Sequence, residues 1–419
     1  MTPRSASDWV IRLLAAALVL AVGWTTTIVS LANVYAPTDV AAAALLAPDN
    51  GRIAGERARE QLQAAPESSA NQNEAHRLAV AALLREPTAV SGAATLGLLA
   101  ELRGDLVAAR RDFGFAQRLS RRDLSSELWL IEDAVRRGDV AEALRHYDIA
   151  LRTQAGATDI LYPVLARASV DPAIMPLLAD RLLARPPWTD SFVVFLANAT
   201  DQPAMVAELF ERLQRRGLTI NPLAQSTLVG KLLAAKQLDR AWGYYASLHP
   251  SAERTRSRDP DFSAPAEVPT AFDWQASRDA GVAVSIQSGA SSGVVTFSAA
   301  PTVGGTLIQQ MQLLPSGRYS LVGRSEGIDQ APEERPYWLL QCTADGRELG
   351  RLVLPNSAEQ GGRFAGEFRI DATCPVQMLM LVARPSTAAA GLSGAITQAQ
   401  LGPLRGASGK AYLGGEKRR

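Results

Sequence analysis

Hydrophobic and polar positions along this chain follow three successive regimes. From Leu13 to Val34 the sequence runs 22 residues without a charge and is apolar on every face. A run of that length crosses a hydrocarbon core as a helix, whereas the core helix of a soluble domain keeps a polar face. From about residue 52 to 250, apolar residues recur at intervals of three and four, the helical period. Beyond residue 270 the period falls to two, in runs at 282–286, 293–297, 306–311, 319–322, 337–342, 348–354, 364–370, 377–382 and 395–401. Short alternating runs separated by Gly, Pro, Asp and Ser predict an antiparallel sandwich. The chain therefore reads as multi-domain, α then β. Its expected parts are an N-terminal segment 1–12, a transmembrane helix 13–35, a helical array 40–250, an exposed linker 251–270, a β-sandwich 271–404 and a disordered tail 405–419.

Within the array one short pattern occurs twice at a spacing of 34 residues. Gly104-Asp105 is followed by Ala109, Phe113 and Ala116, and Gly138-Asp139 by Ala143, Tyr147 and Ala150. Leu96, Gly97 and Ala100 precede the first pair; Leu130, Ile131 and Ala134 precede the second. Glycine tolerates the left-handed turn that closes a helix, small residues let helices approach, and the aromatic packs between them. These positions read as structural, with Phe113 and Tyr147 in the core and His146 on the outward, solvated side. Ala75, Ala82 and Pro87 fall on the same grid one period earlier, as half a repeat. Later helices are expected at 159–169, 172–184, 189–199, 203–216, 222–236 and 239–248. Asp171-Pro172 and Asn221-Pro222 serve as capped starts.

The period and its residues resemble the tetratricopeptide repeat superfamily, specifically over about 74–155 and loosely to about 248. The resemblance implies an α-solenoid, a curved stack of helix pairs whose concave face takes a peptide or partner protein. It also implies clamp residues of Lys, Arg and Asn type on first helices. The sequence departs there, with Ala93-Ala94-Thr95-Leu96-Gly97-Leu98-Leu99. Such a face suits an apolar helix or a neighbouring domain better than a carboxylate.

The β region opens on Phe272-Asp273-Trp274 and contains Leu314-Pro315-Ser316-Gly317-Arg318-Tyr319, a turn before a strand. With the strand order, this step resembles jelly-roll domains of the carbohydrate-binding-module type found in envelope proteins of Gram-negative bacteria. The resemblance implies glycan or protein binding at a sheet face or edge loops. Trp274, Tyr319, Tyr337 and Trp338 have rings that stack on sugars, with sandwich core as the alternative for each. Tyr337 and Trp338 are adjacent in a strand and face opposite ways. Whichever lies on the less buried face is the candidate for glycan stacking.

Charge adds orientation and little else. The 43 basic and 42 acidic residues nearly cancel, so no global field draws the chain to nucleic acid. Arg4 and Arg12 precede the apolar run, and no basic residue follows it until Arg52. The positive-inside rule then leaves the N-terminus cytoplasmic and the bulk outside. That layout reads as a bacterial inner-membrane protein with a periplasmic bulk. A cleaved leader ending near Val34-Tyr35-Ala36 is the competing reading. Cys342 and Cys374 both fall beyond the membrane, where oxidation favours a disulfide.

Three His and two Cys lie far apart, without metal-ligand spacing, so no metal or cofactor is expected. The Ser-rich stretch 288–292 lacks a nucleophile-elbow context, and no His lies in the β region to activate it. The leading expectation is a non-enzymatic scaffold that binds a partner protein through its helical array, in exopolysaccharide or other cell-envelope assembly. The alternative is a glycan-binding protein using the sandwich, and the third reading is a polysaccharide-modifying enzyme.

Overall fold

The computed structural model describes residues 6–289, 292–387 and 389–404. The expected tail 405–419 and part of the Ser-rich stretch lie outside the described residues. The chain divides into two compact units, Met1–Thr189 and Asp190–Arg419.

The first unit begins with α1 (Ala6–Tyr35), of which Trp9–Tyr35 is long and apolar enough to cross a membrane; a signal sequence meets the same test. Its side chains are exposed along most of the length. The hydroxyls of Thr25, Thr26 and Thr27 donate to the carbonyls of Ala21, Val22 and Gly23 at 2.8–3.0 Å. Those three polar side chains are thus satisfied inside the helix, as an apolar medium requires. After a turn, α2 (Val40–Leu46) is capped by Asp39, which accepts from Ala42 N–H at 2.8 Å.

Helical hairpins follow: α3 (Gly51–Ala64) with α4 (Ser69–Arg85), α5 (Val90–Leu102) with α6 (Leu106–Leu119), and α7 (Leu124–Arg136) with α8 (Val140–Thr153). The Gly-Asp pairs explain the second and third. Gly104 and Gly138 adopt φ of +77° and +73°. Asp105 N–H reaches back to Ala100 O, and Asp139 N–H to Ala134 O, both at 2.9 Å. Gly104 N–H closes on Glu101 O at 2.7 Å and Gly138 N–H on Val135 O at 2.9 Å, completing the paired bonds of a Schellman motif. The same aspartates then cap the next helix, accepting from Ala108 and Glu142 N–H. One dipeptide ends a helix and starts its partner.

The hairpin α3/α4 is whole, where the sequence pattern indicated half a repeat. Its turn uses Pro66 and an N-capping Ser68 in place of Gly-Asp, so the 34-residue signature does not register it. Glycines set its contact with α5. A Cβ on Gly55 would stand 2.8 Å from Gly92 N, and one on Gly92 would stand 3.2 Å from Ala79 O; within the α5/α6 hairpin, one on Gly97 would stand 2.7 Å from the Phe113 ring. The unit continues through α9 (Ala157–Ala168) and α10 (Met175–Leu183).

The second unit carries α11 (Thr189–Ala199), α12 (Pro203–Arg215), α13 (Pro222–Ala234) and α14 (Leu238–Leu248), making fourteen helices among the described residues. Ten strands follow: β1 (Gln275–Ala276), β2 (Val282–Gln287), β3 (Val294–Ala299), β4 (Gly305–Gln312), β5 (Gly317–Glu326), β6 (Tyr337–Cys342), β7 (Glu348–Val353), β8 (Arg363–Ile370), β9 (Gln377–Ala383) and β10 (Leu392–Pro403). They form two antiparallel five-stranded sheets, ordered β1-β4-β9-β6-β7 and β2-β3-β10-β5-β8. Strands β3 to β10 supply four to each sheet in jelly-roll-like order, and β1 and β2 extend both sheets on one side. Trp338, Phe297, Leu321, Leu379 and Ile396 lie in the core between the sheets.

Segment 250–270, read from composition as an exposed linker, is tied to the sandwich. Ser257 N–H donates to Leu401 O at 2.9 Å and Ala399 N–H to Pro260 O at 2.7 Å, so this stretch runs beside β10. Phe262 is fully buried, and Gly293 admits its carbonyl where a Cβ would collide. The polar composition satisfies an irregular backbone laid against a sheet.

Candidate binding surfaces

The repeat residues are placed where helices meet. Ala109, Phe113 and Ala116 on α6, and Ala143, Tyr147 and Ala150 on α8, are all buried. Phe113 stacks on Trp129 of α7 with ring centroids 4.7 Å apart and planes 18° from parallel. Burial raises the Tyr147 hydroxyl above its usual range.

His146 is not solvated: it is 1% exposed and faces Glu127, also 1% exposed. Its Nδ1 lies 2.7 Å from Glu127 Oε2, its Nε2 lies 2.9 Å from the Arg145 guanidinium, and Gln117 Nε2 donates to Glu127 at 3.1 Å. Its position between Ala143 and Ala150, three and four residues away, turns it inward with them. Glu127 also sits 34 residues after the buried Ala93, so the repeat grid itself carried the signal for an inward carboxylate.

Two further carboxylates tie the array together. Asp133 on α7 accepts both arms of Arg110 on α6 at 2.7 and 2.8 Å, with Arg137 at 3.1 Å. The Arg110 hydrogen bonds, joined by those from Arg137, hold its carboxyl below the ordinary range. Asp123 reaches Arg59 on α3 at 3.0 Å. Burial opposes its ionisation, but Arg59 and the Ser125 and Ser126 hydroxyls outweigh that and hold it low as well.

With these groups engaged inside, the helices α5, α7 and α9 leave apolar side chains in solvent. They are Leu102 on α5, Val135 on α7, and Ile160 and Val164 on α9, at 42–62% exposure. Val107 on α6 is barer still at 77%, and partly bare apolar side chains of this kind are what a protein partner would cover.

The β unit distributes its aromatics differently from a sugar platform. Trp338 is fully buried between Trp274 and Phe364, so its candidacy for glycan stacking is overturned by burial. Trp274 and Tyr319 are likewise core residues. Tyr337 is half-buried, and the guanidinium groups of Arg351 and Arg384 stand 4.3 and 4.9 Å from its ring centroid. A sugar would have to displace that cation–π pairing. Cys342 and Cys374 form a disulfide, with Cα atoms 5.7 Å apart.

Phe272-Asp273-Trp274 spans three environments. Phe272 packs on Trp242 and Tyr245 of α14, and Trp274 enters the sandwich core. Asp273, 1% exposed, accepts from the Tyr245 hydroxyl at 2.8 Å, from Thr270 N–H and Oγ1 at 2.8 Å, and pairs with Arg258. One buried carboxylate thereby joins α14 and segment 250–270 to the first turn of the sandwich. Beside it, burial and then Arg258 push the His249 imidazole below its ordinary range.

Between β1 and β2 the sandwich opens into a cavity of about 830 Å³ lined by Trp274, Gln275, Val284, Ile286, Thr306 and Gln309, among others. Among the described residues no group of three or more His, Cys, Asp or Glu is arranged to hold a metal ion.

No family model matches this chain, and no curated protein matches it. Among solved structures it is similar to a human IFIT1 dimer with PPP-AAAA, at 16% identity and a TM-score of 0.24. The match covers 55% of this chain and 64% of that one, less than two thirds of the neighbour's length. A score that low defines neither a shared fold nor a shared ligand. The fold defines the chain only as a helical-hairpin array with one apolar N-terminal helix, followed by an antiparallel β-sandwich.

Proposed function

We propose that this chain is a membrane-anchored scaffold whose tetratricopeptide-like helical array holds a partner protein outside the cytoplasm. The carrying observation is the pair of repeats α5/α6 and α7/α8, which spend their polar groups on each other while leaving Leu102 and Val135 in solvent. The array continues that exposure at Ile160 and Val164. Repeat arrays of this build work by surface complementarity, which agrees with a role without catalysis or cofactor. In this reading α1 is the anchor in a bacterial inner membrane, the bulk is periplasmic, and the setting is exopolysaccharide or cell-envelope assembly. A polysaccharide is the alternative ligand of the β unit.

Co-purification from mild detergent tests the reading. The full chain should recover a protein that the double variant Val135→Lys, Val164→Lys loses, with helicity retained because both side chains are at least half exposed. Recovery of the same proteins by both chains sinks it. Binding of envelope polysaccharide that survives the double variant would move the function to the β unit.

A further inference from the structure

A sheet edge offers unpaired N–H and C=O groups to any strand that can reach it, so folded proteins blunt edges with charge, bulges or brevity. Three of the four edges here are blunted. β1 has two residues. β7 carries Glu348 and Arg351, and its pairing with β6 slips at Leu340/Gln341. β8 carries Arg363, Glu367 and Arg369. β2 has none of these devices. Val282-Ala283-Val284-Ser285-Ile286-Gln287 is uncharged, contains no Pro, and stays in unbroken register with β3.

Parity shows which groups this edge presents. Ala300 N–H donates to Gly281 O at 2.9 Å, so the backbone groups of 281, 283, 285 and 287 point toward β3. Those of Val284 and Ile286 point away from the sheet, with no backbone partner among the described residues. Their side chains are half-buried against the core, while Ala283, Ser285 and Gln287 are exposed. Because β1 is so short, the 830 Å³ cavity runs between β2, at Val284 and Ile286, and β4, at Thr306 and Gln309, bordered by residues 265–269 and 276–279. At the opposite side the sheets close: a Cβ on Gly350 would meet Phe368, and one on Gly366 would touch Leu352. The sandwich is unfinished along one strand only.

We propose that β2 of a second copy of this chain completes the edge, added antiparallel about a two-fold axis at Val284. The occupant must be an uncharged strand with apolar residues at alternate positions, and β2 itself has that pattern. A two-fold contact needs a self-complementary strand, and a slip of one residue would turn every side chain to the wrong face. Centring on Val284 avoids the slip. Val282 comes opposite Ile286 of the second copy, Val284 opposite its own equivalent, and Ala283 opposite Ser285. The apolar row stays on the cavity side, the small polar row stays in water, and two five-stranded sheets become one continuous sheet.

The test is the mass of the full-length protein in detergent, by sedimentation or light scattering. Wild type is expected to be a dimer. Ala283→Lys with Ser285→Lys sets like charges opposite each other at exposed positions and should weaken association about tenfold or more, with the far-ultraviolet spectrum unchanged. Ala283→Lys with Ser285→Glu sets opposite charges in the same register and should restore the dimer. A monomeric wild type overturns the proposal, as does a dimer that the double-lysine variant leaves intact. Loss without recovery in the Lys/Glu variant overturns the register at Val284.

Discussion

Besides its buried Ala, Phe and Tyr contacts, the array is tied by carboxylates on helix faces, each answered by a named polar partner. Asp133 shows how far such a tie depends on ionisation. Its carboxyl is held below the ordinary range by Arg110 and Arg137, so the folded state binds its proton more weakly than the unfolded chain does. The stabilisation is therefore present above the unfolded value of about 3.9 and is lost as pH falls through the depressed folded value. Arg110 is 42% exposed, which screens the pair and keeps its contribution to about 1–2 kcal/mol. Asp133→Asn should lower the unfolding free energy read from the helical signal in urea by that amount at pH 6–7, and the deficit should shrink progressively as pH falls below the unfolded value of about 3.9. A deficit that stays constant across this range would mean that packing, not charge, is what the substitution removes.

At the scale of elements, much of the order was legible. The expected helices at 189–199, 203–216 and 222–236 appear as α11, α12 and α13, because Pro and its capping neighbours punctuate the sequence there. The nine alternating runs correspond to β2 through β10; β1 was missed because a two-residue strand has no period. His146 and Trp338 lie inside, against two of the sequence expectations, for different reasons. For His146, polarity at a single position is outweighed by helix spacing, which decides which way a side chain faces; for Trp338, strand parity puts one of the Tyr337–Trp338 pair inward without saying which, and burial identifies it as Trp338. Segment 250–270 was misjudged because composition registers polarity but not hydrogen bonding to a distant strand. The cysteines were legible because compartment and strand positions agreed. Their bridge links residues 32 apart, from the end of β6 to the turn before β9, and a loop of that size is worth roughly 3–4 kcal/mol in the chain-entropy account. Replacing both Cys342 and Cys374 by Ala should therefore lower the β unit's melting temperature by several degrees without altering its far-ultraviolet spectrum. An unchanged melting temperature would show that the sheets alone fix this corner.

For the whole molecule, α1 and the disulfide are independent observations that bear on one proposed topology. The apolar helix has Arg4 and Arg12 ahead of it and no basic residue behind it until Arg52, which favours a cytoplasmic start and an exported bulk. A disulfide far along the chain needs an oxidising compartment. The proposed export of the C-terminal unit accommodates both observations. In intact cells, a membrane-impermeant maleimide should then label Glu333→Cys, an exposed loop position, but reach a cysteine placed ahead of Met1 only after permeabilisation. The protein should stay with the membrane in alkaline carbonate, and its intact mass should retain α1. Exchanging Arg4 and Arg12 for Glu removes the charge asymmetry and should leave a fraction of chains inverted, with the Cys342–Cys374 pair reduced in that fraction alone. Recovery of a soluble chain beginning just after Ala36 would instead make α1 a leader. The compartment would stand, and the anchor would not.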